Sequence, residues 1–225
     1  MSVFILNLET ATSNCSVSLS KDGKTIVLKE DNDKSYSHAE RLHVYIDAVL
    51  KEANITLNDL DAIAVSKGPG SYTGLRIGVS AAKGLCFALN KPLIAIPTLD
   101  ALAYQVKMND GIIVSMLDAR RMEVYSAIYN SDCNQIRETQ AEILDDTSFN
   151  NYLDEGKVYF IGNGVEKTKT LIEHANAVFV DNKLPSANEM SVLAFKKYKE
   201  DNFEDVAYFE PYYLKDFVAL KPKAK

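Results

Sequence analysis

Two stretches of this chain carry residue types that could do chemistry. The first is Gly68-Pro69-Gly70-Ser71, set between an apolar run at 62–66 and a helical pattern that runs without proline from 73 to 89. Backbone N–H groups at such a strand-to-helix junction, helped by the helix dipole, could hold an anion such as a phosphate. The competing reading is a tight turn whose glycines only permit the bend. The known phosphate motifs fail in detail: Leu75-Arg76 follows Gly74 where a Lys followed by Ser or Thr is required, and Thr73 occupies the third glycine position of the dinucleotide spacing. The second candidate is a pair of carboxylates, Glu9 and Asp118, each in a turn between the first two strands of one half of the chain. Facing each other across a cleft they could hold magnesium and a nucleotide; taken singly, each is a turn residue at a strand end.

Other chemistries find no footing. His38 and His43 are five residues apart, about 140° around a helix, so they do not share a face, and His174 stands alone. Cys15, Cys86 and Cys133 have no metal or redox spacing, and an odd count fits a reducing compartment. No serine sits in a nucleophile elbow and no cysteine has a histidine neighbour in sequence. A net charge of -6 argues against unaided grip on nucleic acid, so any role near RNA runs through a partner. With 47% hydrophobic and 25% charged residues the chain is expected to fold, and no apolar run reaches the roughly 20 residues that span a bilayer. Residues 1–4 lead directly into strand-like sequence without the features of a signal peptide, so a cytoplasmic location is expected.

The elements that must position these residues follow from period and punctuation. Residues 3–8, 15–20 and 25–29 read as three strands, with a polar turn at 9–13 and a hairpin at Asp22-Gly23. Ser37 and Glu40 have capping-box spacing and open a helix reaching about residue 53. Leu42, Ile46, Val49 and Ala53 share one face of it, and Tyr45, Ala48 and Leu50 broaden the apolar surface beyond one sheet contact. Strand 62–66, a helix capped by Thr73 and strand 93–96 then form a right-handed crossover. Gly74, Gly78, Ala81, Ala82, Gly84 and Ala88 make that helix small on several sides, so other backbones can come close.

A connecting helix at 98–107 is broken by Asn109-Asp110-Gly111. Strands at 112–117, 124–129, 135–143, 158–161 and 178–180 follow, with helices at 166–174 and 188–199. The pattern implies a first lobe at 1–105 and a second at 106–225, the aromatic stretch 206–214 packing back on the first lobe and 221–225 frayed. The first two strands of each half flank an acidic turn, which suggests duplication.

KGPGSYTGLRIGVSAAKGL and ALNKPLIAIPTLDALA, with LETATSNCSVSL, SHAERL, DARRMEVYSA and PYYLKD in the same order, resemble the bacterial tRNA threonylcarbamoyladenosine biosynthesis family TsaB, also called YeaZ. The resemblance implies the α/β, two-lobed fold of actin, sugar kinases and chaperone ATPases, each lobe a mixed sheet with helices in the order βββαβαβα. It also implies a partner, the catalytic relative TsaD, with the ATPase TsaE joining them to place threonylcarbamoyl on adenosine 37 of tRNA. ATP and a metal ion are expected on those partners and no cofactor on this chain. In TsaD two metal-binding histidines stand four apart after the strand that follows the glycine-loop helix; here those positions are Thr98 and Leu102. No metal site and no catalytic residue is therefore expected, which weighs against a metallopeptidase. A degenerate ATP-binding protein or weak ATPase using Glu9, the glycine loop and Asp118 is the alternative. The family pairs through its two first-lobe helices, as a homodimer alone or with TsaD, and Leu42, Tyr45, Val49, Leu75, Gly78, Val79 and Phe87 are the expected contacts.

Overall fold

Alternation of side chains sets the first three strands. In the computed structural model, which describes residues 2–32 and 38–215, β1 (Phe4–Glu9) pairs antiparallel with β2 (Cys15–Lys21), and β3 (Lys24–Asp31) returns along β2. The return uses Asp22 and Gly23, both at positive φ, 51° and 80°, the handedness a two-residue hairpin requires. After α1 (His38–Glu52), β4 (Ala62–Gly68) adds parallel to β1; after α2 (Tyr72–Leu89), β5 (Leu93–Pro97) adds parallel to β4, and α3 (Thr98–Ala103) follows at once. The sheet order is β3-β2-β1-β4-β5.

The second sheet repeats this plan. β6 (Ile112–Asp118), β7 (Glu123–Tyr129) and β8 (Gln135–Ile143) are antiparallel, followed by α4 (Asn150–Leu153), β9 (Val158–Ile161), α5 (Val165–Thr168), β10 (Ala177–Val180) and α6 (Ala187–Lys199). Its order, β10-β9-β6-β7-β8, is that of the first sheet read from the opposite edge, with β6 and β9 parallel as β1 and β4 are. Each half is βββαβαβα, the duplicated, two-lobed α/β order expected from the sequence.

The first sheet is covered on both faces, which is why β1, β4 and β5 are buried along nearly their whole length. On one face Leu6, Leu8, Val17, Ile63 and Val65 meet Leu42, Ile46 and Val49 of α1 and Val79, Ala82 and Cys86 of α2. On the other, Ile5, Ala62, Ala64, Ile94 and Ile96 meet Ala187, Met190 and Ala194 of α6. Thus α6 lies on the first sheet and not in the second lobe, where the expected boundary at 106 had put it. Serines at every second position of β2 draw it there: Ser18 Oγ donates to the Ala187 carbonyl at 2.7 Å, and the Ala187 N–H donates to Ser16 Oγ at 3.0 Å. The chain then stays on this lobe. Glu204 N–H donates to the Leu93 carbonyl, Val206 and Phe209 pack on the first core, and Tyr212 N–H donates to the Lys67 carbonyl at 2.7 Å. Beyond it, Lys215 pairs with Glu123 of the second lobe.

Several expected bounds move. The helix at 98–107 ends at Ala103, where Tyr104 N–H closes on the Asp100 carbonyl and the Gln105 side chain turns away to the Leu184 carbonyl at 2.7 Å. The helix at 166–174 keeps one regular turn, because the Thr168 and Thr170 hydroxyls bond back to the Gly164 and Lys167 carbonyls. Ser71, not Thr73, caps α2, accepting from Gly74 N–H at 3.3 Å. The short α4 and a 3-10 turn at Leu57–Asp59 had no counterpart in the periodicity. Ser37 of the expected capping box and the stretch 221–225 lie outside the described residues.

Candidate functional site

The glycine loop ends β4 at the edge of the interlobe junction, and the N-terminal turn fills it. Ser71 N–H donates to the Ala11 carbonyl at 2.7 Å, Leu75 N–H to the Ser71 carbonyl at 2.8 Å, and Gly74 N–H to Ser71 Oγ. Two of the donors at this junction, the N–H groups of Ser71 and Gly74, are thereby engaged. Glycine is required here by proximity: a Cβ on Gly70 would stand 2.5 Å from the Ala11 carbonyl oxygen, and one on Gly74 only 2.1 Å from that of Thr10. Gly68, at φ 110°, has the Tyr212 carbonyl oxygen 2.7 Å from its absent Cβ, so the C-terminal segment closes the loop from the other side. The Tyr213 ring lies 4.7 Å from that of Tyr72, and Arg76 sits over Tyr72 and donates to the Tyr213 hydroxyl at 3.2 Å.

Glu9 and Asp118 occupy equivalent places, the ends of β1 and β6, but different environments. Glu9 is fully buried; its Oε1 accepts from Ala11 N–H at 2.6 Å and Ser66 Oγ at 2.8 Å, while Oε2 has no hydrogen-bond partner among the described residues. Burial pushes its pKa up to about 7, against the lowering effect of those hydrogen bonds. Asp118 is exposed and engaged by Lys167 Nζ at 2.7 Å and Arg120 N–H at 2.6 Å. Asp118 is thus held by Lys167 and its own turn, and Glu9 by its own turn and Ser66, an arrangement that accounts for both carboxylates as turn residues. Among the described residues no group of three or more His, Cys, Asp or Glu is placed to hold a metal.

Thr98 and Leu102 are both fully buried in α3. Leu102 packs with Leu99 and Ala103 against Ile113, Leu117, Tyr129 and Ile161, so the helix joins the two sheets through an apolar contact. A Cβ on Gly162 would stand 2.7 Å from Leu102 Cδ2. Tyr129 seals the contact, its hydroxyl donating to Asp100 Oδ1 at 2.7 Å. A hydrocarbon side chain fills this place.

The expected partner contacts divide sharply. Leu42, Val49 and Val79 are buried in the first core, Leu75 is buried beside Gly68, and Gly78 backs onto Thr10 Oγ1, 2.3 Å from where its Cβ would be. These five hold the lobe together and present nothing to a partner. The small residues at 74 and 78 accordingly serve internal packing, while Gly84 has open space around it. Tyr45 is half-buried, and Phe87 is 86% exposed. Val44 of α1, 60% exposed, and Tyr208, 84% exposed, are further exposed apolar side chains that sequence reading missed. The available signal was phase: Val44, like Phe87, falls outside the stripe of apolar residues facing the core, and only Phe87 was among the expected contacts.

The chain's relatives agree with one another. The family described as TsaD, tRNA N6-adenosine threonylcarbamoyltransferase, matches residues 32–223. The tRNA threonylcarbamoyladenosine biosynthesis protein TsaB of Escherichia coli (strain K12) is 32% identical, covering 96% of each chain, and that of Bacillus subtilis (strain 168) is 31% identical, covering 94% of this chain and 93% of its own. A tRNA N6-adenosine threonylcarbamoyltransferase from Brachyspira hyodysenteriae is 34% identical over 48% of this chain and 36% of its own. The solved structure of YeaZ from Pseudomonas aeruginosa superposes with a TM-score of 0.79 at 27% identity, covering 94% of this chain and all of that one. With a duplicated two-lobed fold, a filled glycine loop and full-length similarity of this kind, the chain belongs to the TsaB family of tRNA threonylcarbamoyladenosine biosynthesis proteins, within the wider TsaD-related family.

Proposed function

We propose that this chain is a non-catalytic subunit of the cytoplasmic machinery that places threonylcarbamoyl on adenosine 37 of tRNA, and that it pairs with and activates a TsaD-type transferase. The observation that carries the reading is α3: Thr98 and Leu102 stand where the catalytic relative is expected to hold its metal with two histidines, and both are buried, with Leu102 in an apolar interlobe contact. A hydrocarbon cannot ligate a metal, so transfer chemistry is assigned to the partner. The plugged glycine loop and engaged Asp118 favour this reading over a weak ATPase; ATP and a metal ion then act on the partner subunits, with TsaE as a third component.

Pairing is assigned to the outward faces of α1 and α2, where Val44, Tyr45 and Phe87 leave apolar area uncovered. The same face serves a homodimer when the chain is alone. Co-purification with the transferase, followed by a transfer assay with and without this chain, is the test. Phe87→Glu should abolish pairing and activation while changing stability by less than about 0.5 kcal/mol, as exposed substitutions do. Full transfer by this chain alone, or undiminished pairing of the variant, would sink the proposal.

A further inference from the structure

A polar cavity of about 360 Å³ lies where the chain returns from the second sheet to the first. Its walls are the end of β3, Asn14 just before β2, Gln105 after α3, and the segment that runs from Asn182 into α6. It shares no residue with the glycine loop. Side-chain donors hold the crossing segment in place: Asn14 Nδ2 donates to the Pro185 carbonyl at 2.9 Å, and Gln105 Nε2 to the Leu184 carbonyl.

The inner donors of this cavity are spent, and its inner acceptors are not. Asn14 is 6% exposed, and its amide N–H groups go to Pro185 and, at 3.4 Å, to Glu30. Its amide oxygen is left without a hydrogen-bond partner among the described residues, open to the cavity that Asn14 lines. Glu30 Oε2 accepts from Ser186 Oγ at 2.7 Å, Ser16 Oγ at 3.1 Å and Asn14, all neutral donors, and no cation among the described residues pairs with it. Glu189 Oε1 accepts from Asn188, while Oε2 is withdrawn from solvent with no partner among the described residues. Burial raises the pKa of Glu189, and the nearby charge of Glu30 adds to the rise. Asp31, also on the wall, is already matched by Arg41. Lys183, the one basic residue on the lining, is exposed and acts on Glu189 only from a distance. Two carboxylates and a buried amide oxygen thus line one space with no cation bound between them, whereas buried charges are ordinarily paired.

We propose that this cavity binds a small aliphatic diamine or polyamine, its ammonium groups held by Glu30, Glu189 and the Asn14 amide oxygen. An ammonium carries three donors and no acceptor, which complements such a lining. The methylenes between ammonium groups need an apolar wall, and Leu28 and Leu184 supply one. A metal ion has no use for that wall, and among the described residues no group of three or more His, Cys, Asp or Glu is placed to hold one. The volume falls within the usual range of small-ligand pockets. A bound amine bridges β3 and α6, so it fastens the crossing segment to the first sheet.

The test is isothermal titration calorimetry of the chain with spermidine and with 1,4-diaminobutane, in buffer of fixed ionic strength. Both amines should bind saturably at a single site and raise the thermal midpoint of the parent. Glu189→Gln keeps the shape of the side chain without its charge and should weaken binding by about tenfold or more, as loss of a charge-assisted hydrogen bond does. Asn188→Lys, at an exposed position on the lining, brings a tethered ammonium and should weaken binding as much, so the outcome does not depend on one variant folding. Glu155→Gln, an exposed acid of the second lobe that is not on the cavity, should leave affinity unchanged. Absence of saturable binding at millimolar amine would overturn the inference, as would equal binding by the parent and both cavity variants. Equal weakening in Glu155→Gln, or displacement of spermidine by magnesium chloride at matched charge, would also overturn it, marking only a general attraction of cations to an acidic chain.

Discussion

Replacing Glu9 by Gln should remove one specific component of the pH dependence of stability. The carboxyl is fully buried, and its pKa is raised from 4.5 to about 7, chiefly by desolvation. The folded state therefore holds the proton more tightly than the unfolded chain between those values, and linkage fixes the sign. The contribution of this group is most favourable below pH 4.5, declines as pH rises toward 7, and is level above that. At 1.36 kcal/mol per unit, the loss comes to about 3 kcal/mol. Gln keeps an oxygen to accept from Ala11 N–H and Ser66 Oγ but cannot ionise. Urea unfolding followed by circular dichroism, suitable for a chain with no tryptophan, would be run on both proteins at pH 4.5 and 8.5. The stability difference between variant and parent should shift by about 3 kcal/mol in favour of the variant at the higher pH, a double difference that cancels every other titrating group. Parallel pH profiles, agreeing within about 0.5 kcal/mol, would refute the claim that an unpartnered carboxylate oxygen is buried in the fold.

Two further substitutions probe the packing. Gly74→Ala places a methyl against the Thr10 carbonyl oxygen, so it should cost about 1 to 3 kcal/mol despite the better helix propensity of alanine; Gly84→Ala on the same helix meets nothing and should gain about 0.5 to 1 kcal/mol, both read from urea midpoints. If Gly74→Ala were neutral, the close approach of the N-terminal turn to α2 would be wrong. Leu102→Ala should cost about 2 to 5 kcal/mol by opening a cavity between α3 and the second sheet, and a loss under about 1 kcal/mol would mean the interlobe contact is loose.

The sequence by itself determined the strands, the crossover around the glycine loop, and the repetition of an acidic turn between the first two strands of each half. Alternation and glycine are local signals, and they survive folding because the ladders of β1 with β2 and β6 with β7 use them directly. It also determined that neither Thr98 nor Leu102 can supply an imidazole. Tertiary structure alone decided which surfaces stay open. Ser16 and Ser18 look like the wet face of β2, yet they are buried because α6, some 170 residues later, brings the backbone and hydroxyl partners they need. Leu42, Val49 and Val79 look like contact residues on broad apolar helices, but the first sheet uses that face, leaving Val44 and Phe87 outside. A helical wheel gives the directions of side chains and not which direction meets a sheet; that depends on contacts far apart in sequence. The same holds for the glycine loop, whose shape is local but which meets the Ala11 carbonyl on one side and the Tyr212 carbonyl on the other, neither of which its own sequence can announce.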